Sequence, residues 1–391
     1  MSADQGDRPH CDCHYHPDLV VVRRGDEGAA ISSLRLDEDR ILDEGALCRY
    51  LDGLEPSDIG PIVERIAVIK VDNDAHLTAN ELAGAGIEAS PVHGVGYMGH
   101  SGYKGDDFRE LDKEHPEVSP TEEGSVIAIV DSGLAPEEDI PAWLDQSVEC
   151  ERPQDTDILT QKHPVSHGTF VASVIRRVAP DHRLSMASAR PDPGYMKSSE
   201  EHHISGGAPQ PTDELNVFGA LVRLVERHRE DEVVALNLSL GAHKCPDGGS
   251  FLLAMRIALE FWLENFKGCG IFAAGGNSEC EEPLFPAAWE DLGIQAVGAA
   301  TDGGDTVVWR DGNDVIPAPR RDWITDWAPG HEIEGLSGVT PDDVIQWSGS
   351  SFACAVATGA FVNNVNSTPV GTETWWTDQS VDYDQIPGLR F

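Results

Sequence analysis

Basic residues are scarce in this chain. Lys and Arg number 28 against 68 Asp and Glu, a formal charge of −40 at pH 7 with a pI near 4.5. That balance repels phosphates, so it argues against nucleic acid and anionic membranes as partners and reads first as high solubility. Long apolar runs are missing too. No stretch approaches the ~18 residues of a membrane span. The polar start from Met1 to His16 has no secretory h-region, and the expectation is a cytoplasmic protein with no membrane contact. Cysteine is thin: eight residues (Cys11, Cys13, Cys48, Cys150, Cys245, Cys269, Cys280, Cys354) are scattered over 391 positions. Free thiols are the default in a reducing cytosol. A Cys245–Cys280 pair, both in loops after core strands, is the disfavoured alternative. Cys11-Asp12-Cys13-His14-Tyr15-His16 resembles a metal ligand set but lacks a second spaced pair, so no metal or other cofactor is expected.

What is present suffices for a large core. The chain is 40% hydrophobic, and its length allows one large domain and a smaller one. Val126 to Val130 is an unbroken apolar run, the pattern of a strand buried on both faces. Helical spacing follows at His167–Val178, a strand at Arg183–Ala189 and a helix at Asp213–Arg229. Val233–Leu240 reads as a strand, Phe251–Phe266 as a helix, and Gly270–Ala274 and Gly293–Ala299 as strands. A last helix is expected from about Ser350 to Val362. Alternation of this kind implies an α/β fold with a parallel sheet covered on both faces, with ligands beyond the carboxyl ends of the strands.

Asp131 and the Gly275-Gly276-Asn277 turn lie at such ends, and four short motifs stand in a fixed order: Asp131-Ser132-Gly133, His167-Gly168-Thr169, Asn277, and Gly349-Ser350-Ser351. Together they offer an orienting carboxylate, a general base, an oxyanion donor and a hydroxyl nucleophile, the parts of serine acyl transfer. Singly, each also fits a plainer role: Asp131 a turn cap, Asn277 a turn residue after two glycines, and Ser348 or Ser350 an N-cap or an alternative nucleophile. His163 is the competing base. His167 is preferred, since its glycine neighbour permits close packing and His163 precedes a proline. Ser351 opens an apolar helix whose positive end and first N–H groups favour an oxyanion.

In these blocks the chain resembles the subtilisin-like serine proteases, whose chain order is Asp, His, Ser. Val126–Gly133, His167–Ala172, Leu236–Gly241, Ala273–Asn277 and Gly349–Gly359 carry the likeness, over roughly Gly124 to Asn364. It implies a three-layer subtilisin-like fold with a mostly parallel central sheet. By the same resemblance Asp131, His167 and Ser351 form the triad and Asn277 is the oxyanion donor. Ser239, Leu240 and Gly241 become the edge that pairs with extended substrate, facing Ala274, Gly275 and Gly276 across the pocket for the residue before the scissile bond. Ala355 stands where the family usually has Pro, and Val356 where His follows. The implied activity is serine endopeptidase, with a peptide or protein in extended conformation as partner. A peptide-binding pseudoprotease and a non-peptide acyl hydrolase are the alternatives.

Glu64–Val71 alternates like a strand, His76–Gly86 has helical spacing, and Ile87-Glu88-Ala89 follows as a second strand. This scrap is similar to part of the subtilisin propeptide, a small α+β module that blocks the protease. The expected organisation is an N-terminal extension at 1–60, the propeptide-like module at 61–103, and an acidic linker at 104–123 where cleavage would fall. The catalytic domain follows at 124–365 and a tail at 366–391. The final segment of the module, near His93 to His100, is expected in the substrate groove. The small residues of the pocket predict a roomy slot for large side chains, with Glu279, Glu281 and Glu282 adding tolerance of Lys or Arg.

Overall fold

The computed structural model describes residues 15–51, 59–97, 109–111, 124–150, 166–189, 212–243, 251–310, 314–319, 321–341 and 343–365. At its centre is a seven-stranded sheet. Its order is Asp326–Pro329, Gln295–Ala300, Gly270–Ala274, Val233–Leu238, Val126–Asp131, Arg183–Ser188 and Val148–Cys150. Every neighbouring pair is parallel. The unbroken apolar run explains why Val126–Asp131 lies in the middle. Val126, Ala128 and Val130 point into one core with the helices Glu214–Arg227 and Leu253–Asn265. Ile127 and Ile129 point into the other, with His167–Val178 and Ser350–Val365. Successive side chains alternate across a strand, so only a continuous apolar run can feed both cores. The result is three layers, helix on sheet on helix. No helix among the described residues is long and apolar enough to cross a membrane.

The second sheet is antiparallel. Tyr15–Arg23 lies between Ile66–Lys70 and Ala89–Tyr97. One face of this module, with Val20, Val22, Ala67 and Ile69, is covered by its helices Glu27–Leu34 and Ala75–Gly84. The other face, with Leu19, Val21, Val68, Val92 and Val95, joins the large core around Leu215, Phe218 and Met255. The module therefore completes its burial only on the catalytic domain. Arg23 to Glu260 (3.3 Å) and Arg65 to Glu264 (2.6 Å) tie the rims.

Three expectations meet a different structure. Residues 15–51, expected within an ill-defined extension, supply the central strand and two helices of the module. The strand expected at Val233–Leu240 breaks at Ser239, and Leu240–His243 leaves the parallel sheet for the antiparallel one. Within the expected linker, Arg109–Leu111 pairs with Val344–Trp347. Cysteine chemistry differs as well: Cys48, Cys150, Cys269 and Cys354 are reduced thiols, whereas Cys280 is disulfide-bonded. The expectation of free thiols throughout is thus corrected. The metal-like cluster from Cys11 to His14, His163 and the tail after Val365 lie outside the described residues.

Candidate active site

Asp131 ends the central strand at its carboxyl edge and is fully buried. Its Oδ1 accepts from the Ser132 backbone N–H at 2.7 Å. Both carboxylate oxygens face His167 Nδ1, at 2.8 and 3.0 Å. His167 is the first residue of its helix, which Ser166 caps by accepting from Thr169 N–H at 3.3 Å. The two segments meet with no room between them. A Cβ on Gly168 would stand 2.3 Å from the Gly133 carbonyl oxygen, and Gly133 itself has φ +93°. Glycine at both positions is therefore a condition of the Asp–His contact.

Ser351 sits in the first turn of the helix Ser350–Val365, which packs against the His167 helix. Its neighbours reach the imidazole: the Phe352 ring is 5.6 Å from the His167 ring and Trp347 meets it edge-on at 5.8 Å. Ser351 Oγ donates to the Ser239 carbonyl at 3.0 Å. Ser239 Oγ returns a bond to the Ser351 carbonyl at 2.9 Å. The competing hydroxyls are structural acceptors: Ser350 Oγ takes the Gly276 N–H at 3.0 Å, and Ser348 Oγ takes the Glu332 N–H at 2.9 Å. Asn277 is bound to the same helix start, its Oδ1 accepting from Ser350 N–H at 2.7 Å. Cys354, one turn along, is fully buried, and burial pushes its thiol up to about 12, so it carries no thiolate chemistry near neutral pH.

The expected substrate edge is occupied. Leu240 pairs with Tyr97 and Gly241 with Gly96, antiparallel, so the module's last described strand lies along it. Thr212–Asp213 pairs with the same strand at Val95 and Gly94. Across the slot, Gly275 N–H donates to the Val297 carbonyl at 2.7 Å and Ala274 is buried. Leu284 lies against both sides of it, with Cδ2 2.8 Å from where a Cβ of Gly241 would stand and 3.4 Å from where one of Gly276 would. Arg321, unremarked in the sequence, is buried behind this wall and donates to the carbonyls of Gly275 (2.9 Å), Gly276 (3.3 Å) and Ser278. Burial lowers its guanidinium to about 10, against an opposing pull from Glu281. Sequence reasoning also missed Glu214, whose buried carboxylate holds His93 N–H at 2.8 Å and Ala254 N–H at 2.8 Å. An acidic residue at the first position of an apolar helix was the available signal.

A family model described as the subtilase family matches residues 122–380. The chain belongs to the subtilase family. Its members are serine peptidases, and the fold found here is theirs. Fervidolysin from Fervidobacterium pennivorans, a keratinolytic enzyme related to subtilisin, is a structural neighbour of this subtilase with a TM-score of 0.54 at 14% identity. The match covers 93% of this chain and 56% of fervidolysin, so the chain spans little more than half of that protein. The prenylagaramide maturation protease PagA aligns with a TM-score of 0.43 at 19% identity, over 65% of this chain and 77% of PagA. No curated protein matches the sequence.

Proposed function

We propose that this subtilase is a serine endopeptidase that cuts extended peptides through an acyl-enzyme. The observation that carries the reading is the buried Asp131–His167 pair, set against the helix start that bears Ser351. In this reading the Ser351 hydroxyl turns from the Ser239 carbonyl to His167 Nε2 and attacks the scissile carbonyl. His167 takes the proton and later gives it to the leaving amine. Asp131 holds Nδ1–H and stabilises the imidazolium. The Asn277 side-chain amide and the Ser351 N–H receive the oxyanion. Substrate binds as a strand beside Ser239–Gly241, as Ala89–Tyr97 does, so that main-chain hydrogen bonds supply much of the affinity. Residues 15–97, together with the chain up to the catalytic domain, act as a propeptide-like inhibitory module.

The test is fluorophosphonate labelling with hydrolysis of a denatured protein substrate. Wild type should label and cleave. Ser351→Ala should do neither while melting normally, and His167→Ala should lose about as much, on the scale of the ~10⁶ in kcat found for subtilisin. Normal turnover by either variant sinks the assignment. Labelling without peptide cleavage would favour an ester hydrolase, and neither, even after a cut between Tyr97 and Gly124, would leave a peptide-binding pseudoprotease.

A further inference from the structure

We infer that Leu284 closes the floor of the slot for the residue before the scissile bond, and restricts cleavage to peptides with Gly, Ala or Ser there. The inference rests on the serine-endopeptidase reading above. The strands Val233–Leu238 and Gly270–Ala274 stay paired only up to Leu238 opposite Ala273. Beyond that point the two backbones separate. Leu240–His243 turns to pair with Ala89–Tyr97 on one side and Leu284–Phe285 on the other. Gly275-Gly276 runs on towards Asn277. The wedge between them opens beside Ser351, whose hydroxyl bonds the Ser239 carbonyl and whose neighbour Ser350 bonds Gly276 and Asn277.

Each wall of the wedge ends in glycine, Gly241 on one side and Gly275-Gly276 on the other, and that composition alone would leave space for a large side chain. The space is already taken. Leu284 Cδ2 stands 2.8 Å from where a Cβ of Gly241 would be and 3.4 Å from where one of Gly276 would be. One methyl therefore touches both walls. Leu284 is 1% exposed and fixed by the pairing of its backbone with His243. The Phe285 carbonyl oxygen crowds the same Gly241 position at 2.9 Å. A packed interior transmits such crowding rather than absorbing it, so a bulky side chain enters only by displacing Leu284.

Charge works in the same direction. Arg321 Nη1 lies 3.8 Å from the Gly276 Cβ position, and a buried guanidinium at that range repels Lys or Arg. Its Nη groups are engaged by backbone carbonyls, so they present no fork to a carboxylate. A small uncharged side chain is what remains. This replaces the preference for large side chains that the small-residue walls predict.

The experiment compares peptide substrates differing only at that position (Gly, Ala, Ser, Leu, Phe, Lys, Glu) against full-length wild type and Leu284→Ala. Fluorophosphonate labelling counts the active sites. For wild type, kcat/KM with Ala should exceed that with Phe by at least ~10-fold, since a filled pocket discriminates by about that much per excess group. Leu284→Ala should raise the Phe and Leu substrates by ~10-fold or more relative to Ala. A wild type that cleaves Phe or Leu as well as Ala overturns the inference, whatever the variant does. So does a labelled, active Leu284→Ala with an unchanged Phe-to-Ala ratio. A wild type that neither labels nor cleaves any substrate, both full-length and after a cut between Tyr97 and Gly124, overturns the endopeptidase reading, and this inference with it.

Discussion

In the proposed reading Asn277 joins two jobs in one side chain. Its Oδ1 accepts from Ser350 N–H at 2.7 Å, which fixes the amide plane and orients the donor on the opposite side. An oxyanion donor acts chiefly in the transition state, so removing it lowers kcat while leaving KM nearly unchanged. Asn277→Ala is expected to lose ~10²–10³ in kcat. Asn277→Asp keeps the Oδ1 acceptor, loses the donor and turns a carboxylate towards the oxyanion, so steady-state kinetics should show a kcat loss at least as large. A loss confined to KM in both variants would make Asn277 a turn residue and nothing more. At this scale the sequence was informative where chemistry is local. Asp131, His167, Asn277 and Ser351 each sit beside Gly or Ser in a block of a few residues, and the block marks a sharp approach at a strand or helix end. Leu284 carries no such mark. Which methyl fills a wedge between Gly241 and Gly276 depends on the pairing of His243 with Leu284, and pairing between distant segments is invisible to composition.

Elements were legible in proportion to how much of their burial is encoded in a continuous run. The helix His167–Val178 and the strand Gly270–Ala274 have the bounds their patterns predict. The strand Tyr15–Arg23 was not foreseen, although it holds Leu19 to Val22 in the core. Its partners lie far along the chain, and its short apolar run is flanked by Asp18 and Arg23, so neither length nor alternation separates it from a polar extension. Close approach between elements gives a sharper test than their bounds. Gly168→Ala would place a Cβ 2.3 Å from the Gly133 oxygen, and the His167 helix must move off the Asp131 turn. Overpacking of this kind costs about 1–3 kcal/mol. A shift of roughly 1 Å at the imidazole costs ~10² in rate. Thermal melting should show the first and kcat the second. A Gly168→Ala variant with wild-type kcat would mean that the helix start yields without disturbing the Asp–His pair.

At the scale of the whole molecule, the N-terminal module and the catalytic domain complete one another. The module's sheet packs on Leu215, Phe218 and Met255, and its last described strand continues the antiparallel sheet through Leu240–His243. Glu214 secures that strand from below: the same carboxylate that holds His93 N–H also accepts from Ala254 at the start of a catalytic-domain helix. Along the pairing, Gly96 lies opposite Gly241 and Tyr97 opposite Leu240, so the strand heads towards Ser239, whose carbonyl receives the Ser351 hydroxyl. In the proposed reading a peptide substrate needs the same edge, so the two compete. Tethering favours the module, because a linked competitor acts at an effective concentration near millimolar, where modest intrinsic affinity suffices. Full-length protein should therefore be less active than a form cut between Tyr97 and Gly124. The Ser351→Ala protein should stay intact under the same conditions, since the cut would be made by the same site. Intact mass and activity followed together over time, for wild type and Ser351→Ala, decide the matter. A wild-type chain that is fully active while its mass is unchanged would show that substrate displaces the strand at no cost. The module would then be a structural part of the catalytic domain, retained because Leu215, Phe218 and Met255 need its cover.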